Sequence, residues 1–321
     1  MTSDQITYLA FGGLLILALV FDLGLLSKKT SQVTIRKALW QTLFWVSLAF
    51  GFFIFVWVQN GRVTALEYLS AYLTEWSLSI DNIFVFILIF SYFRVKEAYY
   101  ARVLLIGILM AILFRVIFIT IGIVLVERFY WLLYFFGALL VYTGVKMFTT
   151  DHKEEVDMEK NKIYTWMRKI VRVTHDDGGG RYTMIVDGKK YYTSMFVVVV
   201  MLATTDIVFA LDSIPAVFGI STNRMVIYTS NIFAVLGLRS LFFLLRGAVD
   251  KFSHLQQGIA IVLIFIGLKM LVEFFNIHIP IFISLLVILV CIGASMIYSI
   301  SVANREEDQK IEEPSEGKDL H

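Results

Sequence analysis

Two acidic strings stand inside long apolar runs. One is Thr74-Glu75 followed by Ile80-Asp81-Asn82-Ile83; the other is Thr205-Asp206 followed by Leu211-Asp212-Ser213-Ile214. An ionisable group at the centre of a bilayer costs about 2.5–3.5 kcal/mol on insertion scales, so four carboxylates need a compensating cation. Arg115 and Arg239, each in an apolar run of its own, are the candidate charge partners, as buried salt bridges. The other candidate is a metal ion. Its ligands would be Glu75, Asp81, Asn82, Asp206, Asp212 and Ser213, with Thr205 beside them, and all of these donate oxygen. The five histidines lie in loops or at ends, and the single cysteine, Cys291, stands elsewhere. An all-oxygen set suits Mn²⁺, Ca²⁺ or Mg²⁺ over Zn²⁺ or Cu⁺. Four carboxylates exceed the charge of one divalent ion, so some carry protons, which permits exchange of metal against H⁺.

A spacing of six residues is about 600° of helix, so paired acids do not share one face of a straight helix. Residues seven apart do: Asn82 sits under Glu75, and Ser213 under Asp206. Either the helix unwinds between the acids, or each acid faces a different neighbour. Pro215 favours unwinding in the second string, because it cannot donate to the carbonyl of Leu211.

The elements that hold these strings must be membrane helices. The chain has 321 residues, of which 58% are hydrophobic and 17% charged, with a mean hydropathy of +0.76. A soluble domain could not hide that much apolar surface. A bilayer core needs about 20 apolar residues per helix. Nine spans are predicted: 7–26, 38–58, 66–93, 103–125, 129–149, 194–219, 225–245, 256–276 and 279–300. Barrel strands would be half as long and would alternate. Basic residues gather in every second connection: Lys28, Lys29, Arg36 and Lys37, then Arg94, Lys96 and Arg102, then nine in 150–193, then Arg246 and Lys251. The positive-inside rule then puts the N-terminus outside and the C-terminus in the cytoplasm. The first residues carry an acid and no Lys or Arg, unlike a secretory leader.

The two acidic strings align at an offset of 131 residues. Arg115 matches Arg239 at 124, and Gly144-Val145-Lys146-Met147 matches Gly267-Leu268-Lys269-Met270 at 123. Spans three to five and six to eight are therefore two three-helix repeats. An odd number of helices inverts the second copy, as in many secondary transporters with a mid-membrane site. The expected organisation is two N-terminal helices (1–65), the first repeat (66–149), a cytoplasmic loop (150–193), the inverted repeat (194–276), a last helix (277–303) and an acidic tail (304–321). In the loop, 161–172 reads as a basic amphipathic helix on the inner leaflet. Gly178-Gly179-Gly180 reads as a flexible hinge. RYTMIV-DG-KKYYT reads as a β-hairpin, since Asp187-Gly188 suits a type I′ turn. The tail, with seven acids and three bases, is expected to be disordered. Lys146 and Lys269, near helix ends, are expected to snorkel. Gly137, Gly144, Gly237 and Gly267 are expected to serve close helix packing.

TEWSLSIDNIFVF (74–86), TTDIVFALDSIPAVF (204–218), SNIFAVLGLRSLFFLL (230–245), GIAIVLIFIGLKML (258–271) and VDGKKYYT in the loop resemble the TerC family of bacterial membrane proteins, named for tellurium resistance. The resemblance implies a lysine-exporter-superfamily protein, some of whose relatives export manganese, with Glu75, Asp81, Asp206 and Asp212 as the transport acids. The combined expectation is an all-α polytopic protein of the bacterial inner membrane. It exports a divalent cation, Mn²⁺ first, by alternating access, and is no enzyme, needs no resident cofactor and binds no nucleic acid. The alternative is a membrane scaffold in a metal, tellurite or envelope-stress complex, docking through loop 150–193. An intramembrane hydrolase built on Asp81 and Asp212 has no Gly-flanked aspartyl motif to support it.

Overall fold

Long apolar runs with three prolines in the whole sequence leave the backbone one way to satisfy itself in lipid, the helix. The computed structural model describes residues 3–26, 34–149, 169–174, 178–186, 188–246, 255–275 and 277–312, with Thr165 and Asp176 besides. The helices are α1 (Ser3–Leu26), α2 (Ile35–Asn60), α3 (Arg62–Tyr92), α4 (Glu97–Arg128) and α5 (Leu132–Thr149). A hairpin of β1 (Thr183–Val186) and β2 (Lys189–Tyr192) follows. Then come α6 (Ser194–Ile220), α7 (Arg224–Leu236), α8 (Leu238–Leu245), α9 (Leu255–Val272), a short 3₁₀ turn (Glu273–Phe275) and α10 (Ile281–Glu312).

Among the described residues, seven helices are long and apolar enough to cross a membrane, and eight if α7 and α8, bent by 41°, form one broken span. The expected first span falls in α1, a helix of 24 residues; it is not among the seven. Chain reversal between α2 and α3 rests on Gly61, whose φ of 89° is costly for any residue with a Cβ. Asn223 caps α7 by accepting from the Met225 amide at 2.9 Å.

Three helix pairs run antiparallel, as close contacts at their ends show. Ser221, just past α6, donates to Glu67 near the start of α3 at 2.5 Å. Glu97 and Glu127, at the two ends of α4, pair with Arg246 just past α8 and Arg224 at the start of α7. In α5, Gly137 lies against Gly267 and Met270 of α9, and Gly144 against Ala260 and Ile264.

The α5–α9 pair is held by backbone-to-backbone approach. A Cβ on Gly267 would lie 2.6 Å from the Gly137 carbonyl oxygen and 2.9 Å from the Val141 nitrogen. Backbone cannot swing aside as a side chain does. Gly267→Ala is expected to cost about 1–3 kcal/mol by overpacking. Gly293→Ala on α10, with nothing within 4 Å of its Cβ position, should cost little. Thermal unfolding in detergent, followed by a thiol dye on the lone Cys291, distinguishes the two. Gly237, expected to pack likewise, meets only ordinary contacts at 3.7 Å, and it marks the bend instead.

Several local expectations change. α6 runs unbroken through Asp206, Asp212 and Pro215, because packing against α3, α4 and α5 holds the helix despite the missing proline donor. The break lies at Gly237, in the next span. The glycine triplet is a built turn: all three residues have positive φ, and Gly180 packs against the Tyr99 ring so closely that a Cβ would clash. Arg102 of α4 donates to the Gly180 carbonyl at 3.4 Å and lies over the Tyr182 ring at 5.1 Å, which docks the hairpin on α4. The hairpin register pairs Val186 with Lys189, with Gly188 at φ 70° in the turn. α10 continues to Glu312, past the expected start of a disordered tail, since Glu, Gln, Lys and Arg are good helix formers. Most of the expected amphipathic helix 161–172 lies outside the described residues, as does 313–321.

Candidate functional site: a buried Arg115 cluster beside a polar cavity

Arg115 of α4 reaches three other helices. Its guanidinium donates from Nε to Asp206 Oδ2 at 3.3 Å and from Nη2 to Asp206 Oδ1 at 3.1 Å. Its Nη1 donates to Asn231 Oδ1 at 3.2 Å and to Glu75 Oε1. Glu75 lies on α3, Asp206 on α6 and Asn231 on α7. Arg115, Glu75, Asp206 and Asn231 are each at most 1% exposed. Arg115 thus pairs with both Glu75 and Asp206, where the sequence reading offered Arg115 and Arg239 as partners for one acid in each repeat. Arg239 is also buried, on α8. Sequence reading missed Asn231. The signal was there: a buried amide inside the quoted SNIFAVLGLRS string, in the span that carries the second arginine.

A planar fork suits this work. It stays charged and binds one carboxylate bidentately while reaching others. Breaking such a buried arrangement by removing one partner costs about 3–5 kcal/mol. Two carboxylates against one guanidinium are not fully compensated, however. Among the described residues, Glu75 Oε2 has no hydrogen-bond partner.

Beside the cluster lies a cavity of about 270 Å³, large enough for a hydrated ion. Its polar lining is Asn82, Thr143, Lys146, Asp212, Ser213 and Gln256. Leu78 and Phe209, each three residues from Glu75 or Asp206, also line it, so cavity and cluster are about one helical turn apart, ~5 Å. Asn82 and Ser213 were expected on the faces of Glu75 and Asp206, and both line this cavity. Asp212 accepts from Thr143 Oγ1 at 3.0 Å. Ser213 Oγ is buried and has no hydrogen-bond partner among the described residues.

The six expected ligands thus divide. Glu75 and Asp206 are held by Arg115, while Asn82, Asp212 and Ser213 face the cavity. The Asp81 side chain lies outside the described residues. Among the described residues no three His, Cys, Asp or Glu side chains gather as a metal-holding group. Lys146, expected to snorkel, is exposed in the last turn of α5 and also lines the cavity; Thr143 and Gln256 were not foreseen there.

This arrangement sits within residues 60–307, which match the model of the integral membrane protein TerC family. The chain belongs to the TerC family. Similar TerC-like proteins include an uncharacterized membrane protein of Myxococcus xanthus, 41% identical over 290 residues and covering 90% of each chain. Another, from Rickettsia prowazekii, is 37% identical over 294 residues, covering 92% of this chain and 98% of the relative. An Escherichia coli relative, provisionally named membrane-bound redox modulator Alx, is 38% identical over 316 residues, covering 95% and 98%. No solved structure matches the chain.

Proposed function

We propose that this TerC-family protein is a secondary transporter that exports a divalent cation, Mn²⁺ first, by alternating access. The observation that carries this reading is the Asp212 cavity set against the Glu75–Arg115–Asp206 cluster. Intramembrane ionisable groups lining a cavity mark ion pathways by default. The antiparallel pairing of α3 with α6, α4 with α7–α8, and α5 with α9 supports two inverted three-helix repeats, with the site between them. On this reading α1 is the ninth span, the N-terminus is outside and the C-terminus is cytoplasmic. Ca²⁺ and Mg²⁺ are the secondary candidates as cargo, and H⁺ is the exchanged ion.

The name of the Escherichia coli relative speaks of redox modulation. One cysteine gives this sequence no internal dithiol pair, so a thiol–disulfide couple within this chain is not the basis of the proposal.

Selectivity tests the reading. Among the described residues the cavity offers carboxylate, amide and hydroxyl oxygens but no imidazole or thiolate. Purified protein is expected to bind Mn²⁺ in preference to Zn²⁺ and Cu⁺. Competition titration in detergent measures this. Specific retention of Zn²⁺ over Mn²⁺ would remove the assignment.

A further inference from the structure

We propose that Arg115 is a tethered substitute for the transported cation: it holds Glu75 and Asp206 while the site is empty and releases them when a divalent ion enters. The proposal rests on the exporter reading above. One guanidinium ties α3 and α4 of the first repeat to α6 and α7 of the second, through Glu75, Asp206 and Asn231. These groups are buried from solvent, yet the cluster is not saturated. Glu75 Oε2 lacks a hydrogen-bond partner among the described residues, and so does Ser213 Oγ on the cavity wall.

The cavity itself presents one described carboxylate, Asp212, with the neutral oxygens of Asn82, Thr143, Ser213 and Gln256 and the Lys146 side chain around it, so its described lining carries no net negative charge. A hard divalent ion wants six or more oxygens and more negative charge than that. The nearest described carboxylates that could complete such a set are the two that Arg115 occupies. Guanidinium and ion cannot both sit between Glu75 and Asp206, so binding is a competition. While Arg115 wins, the two repeats are tied and the empty carrier is held. When the ion wins, the tie opens and the repeats are free to rock. A tie closed in about 99% of empty molecules would weaken apparent ion affinity about 100-fold.

The test compares wild type with Arg115→Gln, both purified in detergent. Free Mn²⁺ is followed by its electron paramagnetic resonance signal, and thermal unfolding is measured with and without Mn²⁺. Arg115→Gln is expected to bind Mn²⁺ at least about tenfold more tightly than wild type, and to gain more thermal stability from the ion. A folded Arg115→Gln with unchanged or weaker affinity overturns the proposal. Should that variant not fold, Arg115→Lys decides. Its ammonium keeps the charge but lacks the fork, so affinity should rise by a smaller factor, and affinity equal to wild type overturns the proposal. If wild type binds no divalent ion, the exporter reading fails and the tether falls with it. Binding in wild type with no gain in the deciding variant sinks the tether alone.

Discussion

Asp212→Asn is expected to abolish divalent-cation efflux while the protein accumulates at its normal level. The amide keeps the size of the side chain and still accepts from Thr143, which bonds Asp212 at 3.0 Å. It removes the charge that a hard ion needs from its ligand. Changes even in the outer shell of a metal site cost about 10–100-fold, so loss of the described carboxylate facing the cavity should cost at least that. Stability should hold, because the described hydrogen-bond partner of Asp212 is a hydroxyl and not a buried arginine. Glu75 and Asp206 differ. Both bond Arg115 with almost no exposure, so Asp206→Ala is expected to lower protein yield as well as transport. Cellular manganese should be measured beside protein level and thermal stability, in a strain lacking its other exporters. An Asp212→Asn protein that still lowers cellular manganese would remove Asp212 from the site.

Much of this was legible from residue spacing. Apolar length marks the helices, and the i+7 relation places Asn82 and Ser213 under the acids, where both line the cavity. The Asp-Gly pair in the loop announces the hairpin. What periodicity cannot do is choose a neighbour. It says which face Glu75 presents, but not that Arg115 rather than Arg239 would bond it. Asn231, Thr143 and Gln256 are ordinary polar residues within apolar runs, and only the packing of α7, α5 and α9 brings them to the site. Lys146 stands exposed in the last turn of α5, as the sequence suggested; that it also lines the cavity with Asp212 depends on where α6 packs. Pro215 signalled a broken helix, yet α6 stays continuous, because neighbouring helices override a single missing donor. Gly178-Gly179-Gly180 looked mobile on composition alone. The Tyr99 ring against Gly180 explains why small residues are needed there.

The central claim is that this chain alone moves a divalent cation across a bilayer. Reconstitution into proteoliposomes with an imposed pH gradient tests it most directly. The trapped reporter is a Mn²⁺-quenched dye, and Mg²⁺, Ca²⁺ and Zn²⁺ are run in parallel. An antiporter turning over at even a few ions per second fills a vesicle within minutes, whereas Asp212→Asn vesicles should match protein-free ones. The expected result is Mn²⁺ flux that is driven by the pH gradient, exceeds that of Zn²⁺ and is absent from Asp212→Asn. Wild-type vesicles that hold folded protein yet pass none of these cations faster than protein-free vesicles would contradict it.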